Sequence, residues 1–284
     1  MALQFNEYYH RQTGLTVGVE HVLFSARSEF QQVEILETDS WGRMMVLDGL
    51  VMLSERDEFV YHEMISHVGL FTHPQPERVL VIGGGDGGTA REVLRHGTIK
   101  QVDLVEIDEL VVEASREFLA DIGRWENDKL NVIFEDGVEF VKDIDNVYDL
   151  IIVDGSDPVG PAEGLFDKTF LEACYRGLTE NGILVAQAGT PWLSSAQKEL
   201  KNLFTALDAI FSLTRVYLAS IPLYPTGLWS MAFASKGPDP LSDMTMARIN
   251  DRLVKFGDSL NYYNLEVHRG AFALPNFVRE AIDE

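Results

Sequence analysis

The chain has 284 residues, 46% hydrophobic and 24% charged, with 23 Lys plus Arg against 45 Asp plus Glu and a formal net charge of −22. A chain of this length forms one large domain or two modest ones without covalent staples, and its composition excludes disorder as the main state. The acidic balance weighs against nucleic acid or an anionic membrane as partner, and it fits a cationic small molecule as well as plain solubility.

Residues 1–53 read as strands. Val33 and Ile35 alternate with Glu34, Gln31 and Gln32 stand just before them, and Met44–Leu47, Asp48-Gly49 and Leu50–Leu53 read as a hairpin, because Asp-Gly accepts the positive φ values of a tight turn. Residues 54–77 change period: Ser54 is expected to cap a helix with Asp57 in its first turn, Val60, Met64 and Val68 recur every fourth position, and Pro74 and Pro76 close the segment. From 78 to 284 strand and helix alternate. The strands are Val79–Ile82, Val102–Val105, Val132–Phe134, Leu150–Val153, Ile183–Ala186, Leu213–Leu218 and Leu228–Ala234. Between them run a stripe at Ala90, Val93 and Leu94 closed by Gly97, another at Leu110, Val111, Ala114 and Phe118, and a long one from Leu200 to Phe211 opened by Ser194 and Gln197 as a capping box. Pro275 opens a last short helix. The pattern predicts an α/β fold: a small N-terminal β domain at 1–53, a helical connection at 54–77, and a doubly wound, mainly parallel sheet at 78–284.

The sequence also limits compartment and metals. Cys174 is the only cysteine, so one chain holds neither a disulfide nor a cysteine zinc site. His62 and His67 lack zinc-motif spacing, and no metal is expected. The first residues lack a basic region followed by an apolar core, and no apolar run approaches the roughly 18 residues of a membrane span, so the expected location is cytoplasmic.

Gly83-Gly84-Gly85-Asp86-Gly87-Gly88 follows the first parallel strand and meets G-x-G-x-x-G through Gly83, Gly85 and Gly88. Glu106 ends the next strand, where an acid takes a ribose hydroxyl pair. A diphosphate beside Asp86 would be repelled, by about 4 kcal/mol per like-charge pair at ~4 Å and an effective dielectric near 20. A nucleoside carrying positive charge, such as an adenosyl sulfonium, fits better. Asp136-Gly137 after the third strand suits the adenine amino group or a helix cap equally well. Asp154-Gly155-Ser156-Asp157 places two acids at the carboxyl end of a strand apolar on both faces, the edge at which open α/β sheets bind ligands; a Pro/Gly turn with surface acids is the plain alternative.

With these blocks on the page, the chain resembles the spermidine synthases, the polyamine aminopropyltransferases. The matching segments are Leu47-Asp48-Gly49, Ser54–Met64, the Gly83–Gly88 loop with Arg91-Glu92-Val93, Glu106-Ile107-Asp108, Asp154–Pro161, Ile221–Gly227, and Tyr262-Tyr263-Asn264 with His268 and Ala271–Pro275. The resemblance implies a methyltransferase-like catalytic domain of Rossmann type. It implies transfer of an aminopropyl group from decarboxylated S-adenosylmethionine, a co-substrate rather than a resident cofactor, to a diamine, usually putrescine. It also implies a homodimer or homotetramer. Carried over by motif, Gln31 and Glu106 hold the ribose, Asp136 and Gly137 hold adenine, and Asp86 and Asp154 face the aminopropyl group and the attacking amine. Asp157, Gln187, Tyr61, His62 and Tyr224 belong to the diamine site, and 154–168 resembles a gate loop. Gly155, Leu223 and His62 differ from common family residues without removing an acid. Asp154 is the candidate proton acceptor. The competing readings are an amine N-methyltransferase using intact S-adenosylmethionine, a dinucleotide oxidoreductase, and a catalytically silent polyamine binder; Asp86 argues against the first two, and the set Asp154, Asp157, Tyr61 and Tyr224 against the third.

Overall fold

Runs such as Val79–Ile82 and Leu150–Val153 have no polar face, so they need cover on both sides, and the computed structural model supplies it. It describes residues 3–10, 13–156, 164–257 and 260–283. The N-terminal part holds an antiparallel pair, β1 (Leu3–His10) and β2 (Thr13–Val19), and a four-stranded antiparallel meander, β3 (His21–Arg27), β4 (Gln32–Thr38), β5 (Gly42–Leu47) and β6 (Leu50–Ser54). The β5–β6 hairpin forms as predicted, with Leu47 opposite Leu50 and positive φ at Asp48 (47°) and Gly49 (84°).

The larger sheet uses β7 (Arg78–Gly83), β8 (Gln101–Glu106), β9 (Leu130–Phe134), β10 (Tyr148–Asp154), β11 (Leu178–Gln187), β12 (Leu213–Ala219) and β13 (Trp229–Ser235). Its order is β12-β13-β11-β10-β7-β8-β9, parallel from β11 to β9, with β13 antiparallel to both neighbours. This is the expected mainly parallel, Rossmann-like sheet beside a small β part. The strand order reverses between β7 and β10, and ligands of such sheets bind at the carboxyl ends there.

Alternate residues of the central strands feed two cores. Val79, Val81, Leu150 and Ile152 pack with Met64, Ile65 and Val68 of α1 (Glu58–Thr72). Leu80, Ile82, Ile151 and Val153 pack with Phe170 and Cys174 of α5 (Lys168–Gly177) and with Leu200 and Leu203 of α6 (Ser194–Asp208). Helix α1 is buried from Val60 to Thr72, and a Cβ on Gly69 would lie 2.8 Å from Leu150 Cδ1, so glycine sets how closely it meets the sheet. Its carboxyl end is closed by arginines of α7 (Asp243–Phe256). Arg252 donates to the carbonyls of Leu70, Phe71 and His73, and Arg248 to that of Thr72, placing positive charge at the negative end of the helix.

Three local expectations are corrected. Ser54 does not cap α1: it pairs with Met44 at the end of β6, and its hydroxyl donates to Asp57, which occupies the N-cap position without its side chain bonding a helix N–H. Helix α2 (Gly88–Leu94) ends before Gly97, which lies in the following turn. Ser194 is already inside α6, because Leu193 takes the N-cap position, and Gln197 bonds the Pro191 carbonyl instead of closing a capping box. The pattern also left α5, α7 and α8 (Leu265–Ala271) unread, although Ser242 and Asn264 cap the last two through Thr245 N–H and Val267 N–H.

Glu63 joins this scaffold to the carboxyl-terminal segment. Its buried carboxylate accepts the backbone N–H groups of Asn261, Tyr262 and Tyr263 at 2.8, 2.9 and 2.7 Å. Glu63→Ala strands these donors and is expected to cost about 3 kcal/mol or more, with Glu63→Gln in between. Denaturant melts test this; an alanine variant as stable as the parent would contradict the role.

Candidate active site

Two adjoining cavities open at the carboxyl edge of the sheet. The larger, of about 120 Å³, is lined by Gln31, Gly83, Gly85, Asp86, Glu106, Asp136, Gly137 and Asp154, together with Tyr61, His62 and Tyr224. The smaller, of about 50 Å³, shares Tyr61 and Tyr224 and adds Gln187. Every residue assigned from the sequence to hold the nucleoside or the diamine therefore lies at one of them, except Asp157, which falls outside the described residues, as does 157–163 of the expected gate at 154–168.

The end of the larger cavity that holds Glu106 and Asp136 is built at helix starts. Glu106 ends β8, and its two oxygens accept Asp108 N–H (3.0 Å) and Gly85 N–H (3.2 Å). Burial pushes its carboxyl up to about 7, despite these bonds. Asp108 caps α3 (Glu109–Phe118) through Leu110 N–H, and its other oxygen accepts both Gln31 Nε2 (3.0 Å) and Ser28 Oγ (2.7 Å). One carboxylate thus ties the turn carrying Gln31 to the wall carrying Glu106. Asp136 is indeed a helix cap, accepting Val138 N–H at 2.8 Å at the start of α4 (Gly137–Phe140), and it also lines the cavity. A Cβ on Gly137 would lie 2.3 Å from Ile82.

The end that holds Asp154 is a set of buried and mostly covered charges. Asp154 ends β10; Tyr61 OH donates to Oδ1 at 2.5 Å and Thr89 Oγ1 to Oδ2 at 2.6 Å. Burial raises its carboxyl, the neighbouring Asp86 raises it further, and His62, Thr89 and Tyr61 oppose the rise without cancelling it. Asp86 Oδ1 accepts Gly88 N–H at 2.7 Å and lies 3.1 Å from His62 Nε2. Burial works to raise this carboxyl too, but the His62 charge and hydrogen bond with Gly88 N–H outweigh it, so Asp86 sits below the ordinary carboxylate range.

His62 is held between two carboxylates, Asp86 on Nε2 and Glu58 on Nδ1 (2.5 Å). Burial alone would lower its pKa; the two acids override that and bring it to about 10, so the ring is an imidazolium at neutral pH. Arg91 grips Glu58 with two bonds of 3.0 and 2.8 Å. Burial, followed by the Asp154 charge, holds the Tyr61 phenol well above its ordinary value, so it acts as a donor.

The glycine loop serves these side chains. A Cβ on Gly84 would lie 2.7 Å from Asp154 Oδ2, one on Gly85 2.9 Å from Glu106 Oε2, and one on Gly88 2.3 Å from the His62 ring. The glycines make room for the acids and the histidine as well as for a ligand.

Tyr224 presents its ring to both cavities while its hydroxyl donates to the Met52 carbonyl at 2.6 Å. Gln187 donates to the Ser156 carbonyl and accepts Gly189 N–H. Sequence reasoning missed several neighbours. Met45, Leu47 and Met52 bring an apolar wall from the N-terminal meander, and Thr89 holds Asp154. Glu7 and Trp229 line the smaller cavity, where Glu7 accepts Val51 N–H at 2.9 Å. Glu7 shares the inward parity of β1 with Phe5, and an acid at an inward strand position was the available signal. Among the described residues, no three His, Cys, Asp or Glu side chains group so as to hold a metal ion.

Known proteins match the whole chain. Residues 58–243 match the spermine/spermidine synthase domain, and residues 3–55 match the spermidine synthase tetramerisation domain. A polyamine aminopropyltransferase of Alkaliphilus metalliredigens is 45% identical over 284 residues, covering 100% of this chain and 99% of the relative. One from Caldicellulosiruptor bescii is 46% identical over 283 residues, covering 99% of each. A crystal structure of spermidine synthase in complex with the transition-state analogue AdoDATO superposes with a TM-score of 0.94 at 39% identity, covering 99% of this chain and 95% of that one. The spermidine synthase of Thermotoga maritima gives 0.91 at 38% identity, covering 99% and 94%. The chain belongs to the spermine/spermidine synthase family, the polyamine aminopropyltransferases.

Proposed function

We propose that the chain moves the aminopropyl group of decarboxylated S-adenosylmethionine to putrescine or a diamine of similar length, giving spermidine and methylthioadenosine. The observation that carries this reading is the pair of carboxylates, Asp154 buried and Asp86 mostly covered, beside Glu106 and Asp136 in the same cavity. Buried charge of this kind needs a cationic partner. The sulfonium, the aminopropyl ammonium and the diamine are such partners. The methyltransferase, oxidoreductase and silent-binder alternatives lose their ground with the family.

In this reading Gln31 and Glu106 take the ribose, Asp136 and Gly137 take adenine, and Asp86 takes the ammonium of the transferred group. Gln187 and the rings of Tyr61 and Tyr224 line the acceptor path, and Asp157 belongs to the same path on the sequence argument. Glu7 offers a carboxylate in the smaller cavity for the acceptor's far ammonium. The acceptor arrives protonated, since a primary alkylamine has a pKa near 10.4. Its desolvation and the raised Asp154 carboxyl bring the two pKa values together, so Asp154 can take one proton. The freed nitrogen lone pair attacks the carbon bonded to sulfur, and the C–S pair passes to sulfur, neutralising the sulfonium. The new secondary amine leaves as an ammonium, and the proton on Asp154 returns to solvent. Alignment of nitrogen, carbon and sulfur supplies much of the rate.

The match to a tetramerisation domain over residues 3–55 supports a homotetramer. The division into 1–53, 54–77 and 78–284 is part of the same reading, with the apolar wall from Met45, Leu47 and Met52 as the first unit's share of the site.

Asp154→Asn is expected to lower turnover by about 10²–10⁴-fold while leaving methylthioadenosine affinity within a few-fold. Near-normal turnover of a folded variant would remove Asp154 from the base role. Glu106 yields a pH prediction. Ribose hydroxyls donate to the ionised carboxylate, so the nucleoside lowers the Glu106 pKa from about 7 and proton uptake opposes binding below it. Methylthioadenosine should bind about tenfold more weakly at pH 6 than at pH 8 and release about half a proton at pH 7, as read by calorimetry in two buffers. Glu106→Gln should flatten the dependence; a parent affinity independent of pH would contradict the assignment.

A further inference from the structure

Asp154 is gripped from both sides, and the two grips differ in surroundings. Tyr61, the partner of Oδ1, lines both cavities. Thr89, the partner of Oδ2, is the second residue of α2, is fully buried, and lines neither. Oδ2 also lies against Gly84, where a Cβ would be only 2.7 Å away. One oxygen is therefore enclosed by protein, and the other meets a phenol where the cavities join.

We infer that Thr89 is a positioning residue for the transfer: its hydroxyl anchors Asp154 through Oδ2, leaving Oδ1 as the oxygen that takes the acceptor's proton. The inference rests on Asp154 being the base. A carboxylate offers about four lone-pair sites. Thr89 uses one on Oδ2 and Tyr61 one on Oδ1, and the second site on Oδ1 is the one at the cavity junction. Held at two points, the carboxylate cannot swing its plane away from the amine.

Thr89 also shares in setting when Asp154 is ionised. The groups that face the carboxylate are Tyr61 and His62 from α1, Asp86 from the loop after β7, and Thr89 from α2, with Tyr224 beside Tyr61; Asp157 lies outside the described residues. Burial and Asp86 favour the neutral acid, and His62, Thr89 and Tyr61 favour the anion. Among the three, Thr89 alone is missing from both cavity linings, so its removal changes the base without removing a wall of the substrate site.

The test is the pH profile of kcat/KM for the acceptor in Thr89→Val, Thr89→Ala and Thr89→Ser, beside Asp154→Asn. Losing a hydroxyl bonded to the anion should move the acid limb up by about one pH unit and lower kcat at pH 7 about tenfold. Thr89→Val and Thr89→Ala should both do this with methylthioadenosine affinity unchanged, and Thr89→Ser should restore the limb. If valine does not fold, the serine and alanine variants still separate the hydroxyl from the methyl. An acid limb that stays in place, or a serine variant that behaves like alanine, assigns Thr89 to packing and overturns the inference. Turnover surviving in Asp154→Asn would instead remove the base itself.

Discussion

Putting carboxylates out of water at one sheet edge is costly unless each meets a donor, and much of this structure is arranged around that cost. Asp86, Asp154 and Glu106 stand at or just beyond the ends of neighbouring parallel strands. The donors of Asp86 and Asp154 arrive with the helices on either side of β7, Tyr61 and His62 from α1 and Thr89 and Gly88 N–H from α2, while Glu106 takes the N–H groups of Gly85 and Asp108. His62 carries the largest share, because its charge is fixed by Glu58 and Glu58 is fixed by Arg91. The binding site is thus preorganised for positive charge before a substrate enters. The same imidazolium tempers Asp86, so rejection of a substrate carboxylate rests on the whole cluster rather than on Asp86 alone.

The constraint reaches into the fold. Helix α1 can bring Tyr61 and His62 to the sheet edge only by lying flat against β10 and β11, which Gly69 permits and which buries nearly all of its surface. Such a helix has no polar stripe, and its end groups need partners from elsewhere: arginines of α7 take its last carbonyls, and Glu63 returns the favour by holding the segment before α8. The N-terminal strands are fastened to the same site by single polar contacts, Tyr224 OH to the Met52 carbonyl and Gln31 with Ser28 to Asp108.

The parallel strands and the Asp48-Gly49 hairpin were legible because both follow from local pattern, continuous apolar runs in one case and positive φ in the other. The site acids were legible because each stands at the end of such a strand. What local pattern could not supply is who meets whom across the chain. Ser54 looks like a cap until the β5–β6 register claims it. Thr89 looks like an ordinary first-turn residue until β10 brings Asp154 to it over 65 positions. Glu7 lies on an early strand whose partner, the Val51 N–H, is 44 positions away. The G-x-G-x-x-G pattern marks the glycine loop, but that three of its glycines clear space for Asp154, Glu106 and His62 is a demand visible only in three dimensions.

The central claim, a site built of buried carboxylates for a doubly cationic nucleoside and a diamine, meets its most direct test in product analysis. Purified protein with putrescine is given either decarboxylated or intact S-adenosylmethionine, and the products are followed by mass spectrometry. The account predicts spermidine and methylthioadenosine from the decarboxylated compound and no transfer from the intact one. Methylated putrescine from intact S-adenosylmethionine, or equal use of both compounds, would contradict it.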